Sequence, residues 1–265
     1  MKWLILGGTS EAMAVAQRLC ELAKQGAEIE VNYSVAGLVR QPKLPCTVIS
    51  GGFSQYGGME QFIKDHNITG LLDLTHPFAQ GISTAAVNAA SVSNIPCWRY
   101  LRSVWQAQVG DQWHFYSDWN ALVRASLDYS SLFISVGQLT QNQMDFLFAQ
   151  RGQVNTHKVN AHKIVIRTAV EPKIAVPKGV SWITEIGPFT LDDELALLQN
   201  YQIDALLCKH SGGSSTRAKL DAARQCDLPV LMLQRPSLPA ATQEFHDVET
   251  LISAVENSLK KVKVN

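Results

Sequence analysis

The first residues of the chain constrain its fold more than any other segment does. Lys2 to Leu6 have the apolar pattern of a short buried strand, Gly7-Gly8-Thr9-Ser10-Glu11 follows at once, and a helix is predicted over Ala12–Ala23. In doubly wound α/β domains this order places an anion at the helix N-terminus, where free N–H groups and the helix dipole favour a phosphate. The full Gly-x-Gly-x-x-Gly pattern is absent. The segment therefore predicts either a phosphate site or a tight turn with Thr9 or Ser10 as N-cap.

Short apolar runs alternate with helical patterns along the chain, which is typical of parallel sheets with crossover helices. The predicted strands are Trp3–Leu6, Ile29–Val35, Thr47–Ser50, Gly70–Leu74, Pro96–Trp98, Ser131–Val136, Lys163–Arg167, Val180–Thr184, Asp204–Cys208 and Val230–Leu233. The further predicted helices are Met59–Asp65, Ala79–Ser91, Gln141–Ala149, Leu191–Asn200, Ser215–Gln225 and Val248–Leu259. We expect an α/β protein with two Rossmann-like domains, 1–112 and 113–265, and a ligand cleft between them, with Tyr100–Ser117 as the connection.

The charge and cysteine content exclude several classes of protein. The 23 basic and 23 acidic residues cancel, so no field of one sign favours nucleic acid or a membrane surface. The five cysteines form no Cys-x-x-Cys pair, which argues against a disulfide framework and a structural zinc site. Neither a signal peptide nor an apolar run of the roughly 20 residues that a membrane span needs is evident. We expect a cytoplasmic protein without a catalytic metal.

Two polar segments follow predicted strands, at the sheet edge where open α/β sheets bind ligands. Asp73-Leu74-Thr75-His76-Pro77-Phe78 combines a carboxylate, a hydroxyl and an imidazole, with Pro77 predicted in the first turn of the next helix. The alternative is a structural role, with Thr75 as the helix cap. Lys209-His210-Ser211-Gly212-Gly213-Ser214-Ser215-Thr216 suits a phosphate or a carboxylate, and Lys219 lies one turn further on. A plain glycine turn is the alternative there.

Two more segments carry candidate ligand-binding residues. Arg99 and Arg102 could bind carboxylates through paired N–H donors, or they could be surface arginines that cover a domain junction. In Ile186-Gly187-Pro188-Phe189-Thr190, the threonine with Asp193 or Glu194 predicts a helix start, whereas Phe189 could line a cleft.

Taken together and in chain order, these segments resemble the precorrin-6A reductases of cobalamin biosynthesis (the CobK/CbiJ family). The matching segments are Leu4-Ile5-Leu6-Gly7-Gly8-Thr9-Ser10-Glu11-Ala12, Tyr33-Ser34-Val35-Ala36-Gly37, Gly51-Gly52-Phe53, Gly57-Gly58-Met59, Asp73–Ala79, Arg99 with Arg102 and Trp105, Gly187-Pro188-Phe189-Thr190, Lys209–Gly213 with Thr216, Lys219-Leu220 and Ala222-Ala223-Arg224. Each segment is short, but their joint order is specific.

The resemblance implies an NADPH-dependent reduction of one double bond in precorrin-6A, or in its cobalt form, to give precorrin-6B. NADH is an alternative cofactor, above all for a cobalt-containing substrate. The substrate is a tetrapyrrole-derived macrocycle with many carboxylates, and any cobalt belongs to it. We expect a monomer or a weak homodimer.

The resemblance also assigns roles to individual residues. The expected cofactor-binding residues are Gly7, Gly8, Thr9, Ser10, Glu11, Ser34, Arg40, Lys209, Ser211, Gly212, Gly213 and Thr216. The expected substrate-binding residues are Asp73, Thr75, Pro77, Phe78, Arg99, Arg102, Phe189 and Lys219. After hydride transfer a neighbouring atom must gain a proton, and His76 is the first candidate donor, with solvent or another side chain as alternatives.

Two other functions compete with this interpretation. One is a non-catalytic α/β protein that binds a nucleotide or a tetrapyrrole, which is disfavoured because polar segments are spread over both halves of the chain. The other is a short-chain epimerase or reductase, which is disfavoured because no tyrosine is followed by a lysine four residues later.

Overall fold

The computed structural model describes residues 1–36, 42–153 and 163–262. It divides into two compact units. Unit 1 comprises Met1–Ser103 and Pro236–Asn265, and unit 2 comprises Val104–Arg235. In chain order the strands and helices are β1 (Lys2–Leu6), α1 (Ser10–Lys24), β2 (Glu30–Val35), β3 (Thr47–Ser50), α2 (Met59–Asp65), β4 (Gly70–Asp73), α3 (Gln80–Val92), β5 (Cys97–Tyr100), β6 (Gln112–Tyr116), α4 (Trp119–Ala125), β7 (Ser131–Ser135), α5 (Gln141–Gln153), β8 (Lys163–Thr168), β9 (Val180–Thr184), α6 (Leu191–Asn200), β10 (Ala205–Lys209), α7 (Ala218–Gln225), β11 (Pro229–Leu233), β12 (Gln243–Phe245) and α8 (Val248–Val262).

The sheet of unit 1 is parallel, with the strand order β12-β5-β4-β1-β2-β3. The chain runs outwards from β1 in one direction through β2 and β3, and in the other through β4 and β5. The point beside β1 where the direction changes is the switch point, at which sheets of this kind bind ligands. Leu6 pairs with Ser34 on one side and with Asp73 on the other, so three strand ends are level there.

Both faces of this sheet are covered. Trp3 and Ile5 of β1 point into a core shared with α1 and α8, whereas Leu4 and Leu6 point into a core shared with α2 and α3. A strand that is buried on both faces is a continuous apolar run, which explains why β1 is easily recognised in the sequence.

Unit 2 repeats the arrangement with the strand order β6-β11-β10-β7-β8-β9, again parallel. Its switch point lies between β7 and β10. Leu132 and Ile134 of β7 belong to the core beneath α4 and α5, and Phe133 belongs to the core beneath α6 and α7. The prediction of two parallel α/β sheets is confirmed.

Three elements were not predicted, namely β6, α4 and β12. All except one of the β12 residues and all of the β6 residues are partly or fully exposed, and both strands lie at a sheet edge. An edge strand has fewer apolar positions than a central one, so it lacks the apolar run on which the prediction relied.

Among the helices of the described residues, none combines the length and the apolar character that crossing a bilayer requires.

The units also differ from the predicted domains 1–112 and 113–265. The chain passes into unit 2 after Ser103 and returns to unit 1 at Pro236. The return has a physical cause: β12 pairs with β5, and Leu251 and Val255 of α8 are buried in the same core as α1. Residues 104–112 begin unit 2, where Trp105 joins the core beneath α7.

This assignment predicts a unit-specific effect of Leu251→Ala. Leu251 is fully buried in the unit 1 core, and such a truncation costs about 2–5 kcal/mol. We expect hydrogen exchange, followed by mass spectrometry, to accelerate in β1 and β4. Leu207→Ala in β10, which is also fully buried, is the matched control and should accelerate exchange in β7 and β11. Faster exchange confined to unit 2 in the Leu251 variant would contradict the assignment.

Candidate functional site

Thr9 links the two loops at the switch point of unit 1. Its hydroxyl accepts a hydrogen bond from the Ala12 N–H at 3.1 Å, which makes Thr9 the N-cap of α1, and donates one to the Leu74 carbonyl at 2.8 Å. The Leu74 N–H in turn donates to the Leu6 carbonyl at 3.0 Å. One threonine therefore fixes the start of α1 against the loop that follows β4, where His76 lies.

The glycines of this turn are needed for different reasons. A Cβ atom on Gly7 would clash with the Tyr33 ring, so only glycine allows the ring to pack against the turn. Gly8 has a φ of +107°, a conformation that favours glycine. The Gly7 N–H donates to the Ser34 carbonyl, and the Gly8 N–H donates to the Tyr33 hydroxyl at 3.0 Å. Burial raises the pKa of Tyr33, so this hydroxyl stays neutral.

The groups left to meet an anion are in the first turn of α1. In the described part of the chain, no hydrogen bond occupies the N–H groups of Ser10 and Glu11. The Glu11 carboxylate accepts bonds from the Ser10 hydroxyl at 2.9 Å and from Arg102 Nη2 at 3.0 Å. The structure thus brings Arg102 to the helix N-terminus, where its positive charge offsets that of Glu11.

Asp73 and Arg99 lie inside unit 1. Both are 1% exposed, and Arg99 Nε donates to Asp73 Oδ2 at 3.0 Å. Arg99 Nη1 also donates to the Pro239 carbonyl and to Glu244, while Thr75 donates its hydroxyl to Asp73 Oδ1 at 2.7 Å. Arg99 therefore binds the segment before β12 to β4. The expected carboxylate clamp is not on a surface that a ligand reaches, because the guanidinium is buried against Asp73, Glu244 and the Pro239 carbonyl.

His76 is half-buried in a turn before α3. Its Nδ1 accepts the N–H of Phe78 at 3.2 Å, and its ring centre lies 5.8 Å from that of Phe78. Helix α3 begins at Gln80 with Ala79 as N-cap, so the prediction that Pro77 lies in its first turn is wrong. Thr75 does not cap that helix either, because its hydroxyl bonds to Asp73 and to Ser83. The Thr75 N–H and hydroxyl both donate to Asp73 Oδ1, and α3 has no side-chain cap.

In unit 2 the glycine-rich loop follows β10. Its backbone is held by side chains from outside the loop: Arg235 donates to the carbonyls of His210 and Ser211, and Trp105 Nε1 donates to the Gly213 carbonyl at 2.7 Å. Gly212 and Gly213 have φ values of +69° and +86°. Thr216 is exposed, and α7 begins at Ala218 rather than at the predicted Ser215. These three bonds fix the backbone of the loop.

Two lysines lie beside this loop in a desolvated environment. Burial lowers the pKa of both Lys209 and Lys219. Lys219 is 6% exposed, and its Nζ donates one long bond of 3.4 Å to Ser135 Oγ at the end of β7. The Nζ atom also lies 5.9 Å from the centre of the Trp105 ring. An anionic ligand at this point would supply the opposite charge that the burial of a lysine requires.

Sequence reasoning missed a buried ion pair in unit 2. Arg167 Nη2 donates to Glu194 Oε1 at 2.6 Å, and the guanidinium lies 3.7 Å from the centre of the Phe189 ring. A signal was present, because Arg167 interrupts an otherwise apolar strand and Glu194 lies among the leucines of α6. A charge at such a position is buried only with a partner.

The predicted site residues therefore form two separate groups. In unit 1 the structure brings together the Gly7–Glu11 turn, Ser34, Asp73, Thr75 and Arg102, with His76 on the adjoining loop. In unit 2 it brings together the Lys209–Gly213 loop and Lys219, while Phe189 lies on Arg167. Arg40 falls outside the described residues. Within the described ranges, no three His, Cys, Asp or Glu side chains gather in a way that could hold a metal ion.

The burial of Arg99 predicts that its role is structural. Arg99→Met leaves Asp73 as a buried charge without its partner and should lower the free energy of unfolding by about 3–5 kcal/mol. Arg102→Met is the matched control, because its ion pair is partly exposed and worth about 1 kcal/mol or less. Denaturant unfolding measures both. If the Arg99 variant kept its stability but bound a carboxylate ligand more weakly, the predicted role of Arg99 as a carboxylate clamp would be supported instead.

Comparisons with known proteins agree with the predicted family and with the fold. The profile of the family described as precorrin-6x reductase CbiJ/CobK matches residues 2–256. A precorrin-6A reductase of Rhodococcus erythropolis is 35% identical over 254 residues, which cover 95% of this chain and 96% of the relative. A precorrin-6A reductase of Rhodobacter capsulatus is 32% identical, with 89% of each chain covered. The solved structure of a CobK precorrin-6A reductase superposes with a TM-score of 0.81 at 28% identity, over 97% of this chain and 96% of the other. The chain therefore belongs to the precorrin-6x reductase CbiJ/CobK family.

Proposed function

We propose that the protein catalyses the NADPH-dependent reduction of one double bond in precorrin-6A, which gives precorrin-6B, and that it acts in the cytoplasm. Membership of a reductase family supports the reaction class. The observation that supports a nicotinamide dinucleotide cofactor is the turn after β1. There a strand, two glycines and a capped helix meet at the switch point of a parallel sheet.

The residues of this turn fit a dinucleotide. The N–H groups of Ser10 and Glu11 at the start of α1 would bind the pyrophosphate, and Arg102 would offset the negative charge of Glu11 beside it. The segment that follows β2 favours NADPH over NADH. Residues 36–46 include Arg40 and Lys43 but no carboxylate, whereas NAD-binding domains use an acidic residue in this region to bind the ribose 2′-hydroxyl.

The macrocycle carries many carboxylates, and unit 2 supplies cations and N–H donors for them. Lys219 is buried and in the described residues has no carboxylate partner, and the Ser211–Gly213 backbone next to it is held in a fixed conformation. A carboxylate placed there would gain a charge-assisted hydrogen bond in a site with little water. Variants of the Lys209–Gly213 loop decide whether the cofactor phosphates bind there or at the start of α1.

The bound nicotinamide supplies the hydride, and the chain must deliver a proton to the neighbouring position. We assign this step to His76. Its Nδ1 accepts the Phe78 N–H, so Nε2 is the ring nitrogen that can bear the proton. Its place after β4, one strand from the turn that follows β1, puts it at the ligand-binding edge of unit 1.

A spectrophotometric assay with purified protein tests the proposal. Precorrin-6A is mixed with NADPH, and the oxidation of NADPH is followed together with the visible spectrum of the macrocycle. NADH and the cobalt-containing substrate are run in parallel. Coupled loss of NADPH and precorrin-6A supports the proposed reaction, and the parallel arms define the cofactor and the metal state of the substrate. Tight binding of either ligand without turnover would instead support a carrier or a regulator.

Separate ligand titrations distinguish the two loops as sites for the cofactor phosphates. Lys209→Ala with Ser211→Ala should weaken the binding of precorrin-6A and leave that of NADPH close to wild type, if the cofactor phosphates lie on α1. Weaker NADPH binding in this variant would move the phosphates to the loop after β10. Titration of each ligand separately, by fluorescence, gives the two dissociation constants.

The role of His76 predicts a selective loss of turnover. His76→Gln keeps a hydrogen-bonding side chain but removes the titrating imidazole, and it should lower kcat by roughly 100-fold or more, the range of general acid catalysis. NADPH affinity should remain within about twofold of wild type, since the pyrophosphate is assigned to the N–H groups of α1 and not to this side chain. The control is His246→Gln, because His246 is exposed and its ring is bonded to the Leu101 carbonyl. Unchanged kcat in the His76 variant would assign the proton to solvent or to another side chain.

A further inference from the structure

The Arg167–Glu194 pair has no role in the reaction as proposed above, yet it is among the most buried charged groups of unit 2. Arg167 lies near the carboxyl end of β8, and Glu194 lies in the first turn of α6. Their side chains are 5% and 3% exposed, and the bond between them is 2.6 Å long. Two charges are withdrawn from water here, which is costly unless their arrangement serves a purpose or is fully satisfied.

The pair is fixed in place but not fully satisfied. The Arg167 guanidinium lies between two rings, 5.0 Å from the centre of Phe133 and 3.7 Å from that of Phe189. Glu194 Oε1 binds Arg167, while its buried Oε2 has no hydrogen-bond partner among the described residues. Glu194 is therefore held in place through one of its two oxygens.

Lys219 is the second buried cation of this region. In the described part of the chain it forms no ion pair, and its Nζ makes only the long bond to Ser135 Oγ. Arg167 lies 5.0 Å from the centre of the Phe133 ring and Lys219 Nζ lies 5.9 Å from that of the Trp105 ring, and both rings belong to one core. Helix α6, which carries Glu194, packs against α7, which carries Lys219. With Lys219 protonated, the described part of this interior holds two cations and one carboxylate.

The groups that face Lys219 act on its charge in opposite directions. Burial, the largest effect, lowers the pKa of Lys219, and Arg167 on β8 lowers it further, whereas Glu194 on α6 raises it. Cys208 on β10 would also raise it as a thiolate, but burial raises the pKa of Cys208 itself to about 11. Ser135 on β7 and the Trp105 ring carry no charge. Near neutral pH, Glu194 is thus the one charged group among these that favours a protonated Lys219.

We propose that Glu194 is a positioning residue which, anchored by Arg167, keeps the buried Lys219 in its cationic form so that it can receive an anionic group of the ligand. This inference rests on the proposed function in one respect: the anion is taken to be a carboxylate of the macrocycle. The Arg167–Glu194 pair then acts through Lys219 and does not touch the substrate. Within the pair, Glu194 is the member whose charge favours a protonated Lys219.

The first test needs no ligand. A lysine whose pKa is lower in the folded than in the unfolded protein makes stability rise with pH, from the folded pKa up to the ordinary value of about 10.4, because the unfolded chain then binds more protons. Denaturant unfolding is measured between about pH 6 and this value for the wild type and for Glu194→Gln. We expect the rise to begin at a lower pH in the variant, by about one pH unit.

Three variants make this result specific. Asp192→Asn, on the same turn of α6 but exposed, should leave the onset unchanged. Glu194→Gln combined with Lys219→Met should abolish the earlier onset, since the titrating group is gone. Arg167→Met removes the opposing charge and should move the onset to higher pH, which also serves as the test if the Glu194 variant does not fold. An onset that is the same in the wild type and in both single variants would overturn the proposal.

The second test uses the substrate. With precorrin-6A, the KM of Glu194→Gln should equal that of the wild type at about pH 6 and exceed it roughly tenfold at alkaline pH, where Lys219 has lost its proton in the variant. A merely structural role would raise KM by the same factor at every pH and would contradict the inference. If the wild type does not turn over precorrin-6A at all, the proposed function fails, but the ligand-free comparison still decides the role of Glu194.

Discussion

The parallel pairing of β1 with both β2 and β4 is the constraint on which unit 1 depends. Because Leu6 is level with both Ser34 and Asp73, three chain segments leave the sheet at one point. The Thr9 hydroxyl joins two of them, since it caps α1 and binds the loop after β4. A site at this edge is therefore a consequence of strand order, and the chemistry depends on which side chains the three loops carry.

Buried charges define the second level of organisation, and the two units use them differently. In unit 1, Arg99 is surrounded by Asp73, Glu244 and the Pro239 carbonyl, so it ties the returning chain to the sheet. In unit 2, the Arg167–Glu194 pair leaves Lys219 as a cation without a partner in the described residues. The first arrangement matches its cation with two carboxylates of the chain itself. The second one carries a positive charge in excess, which fits a site for an anion.

The covalent order of the chain does not coincide with its compact units. Residues 236–262 complete the sheet and one helical layer of unit 1, although unit 2 separates them from the rest of that unit. The local pattern of β12 is three residues long and mostly exposed, so it predicts little by itself. Its place is set by partners far away in the sequence, such as Trp98 opposite Gln243. Long-range pairing of this kind cannot be read from hydrophobic periodicity.

The sequence by itself determined the central strands, most helices and the two loops that bear candidate ligand-binding groups. It could do so because strands buried on both faces are apolar throughout, and because glycine, threonine and lysine at strand ends have distinct chemistry. Only the tertiary structure decided which polar residues face outwards. Arg99 and Arg102 are three residues apart and equally plausible as clamps, yet one is enclosed by carboxylates and the other meets the start of α1. Burial and partnership depend on contacts between distant segments, and these contacts also revealed the roles of Arg167 and Glu194.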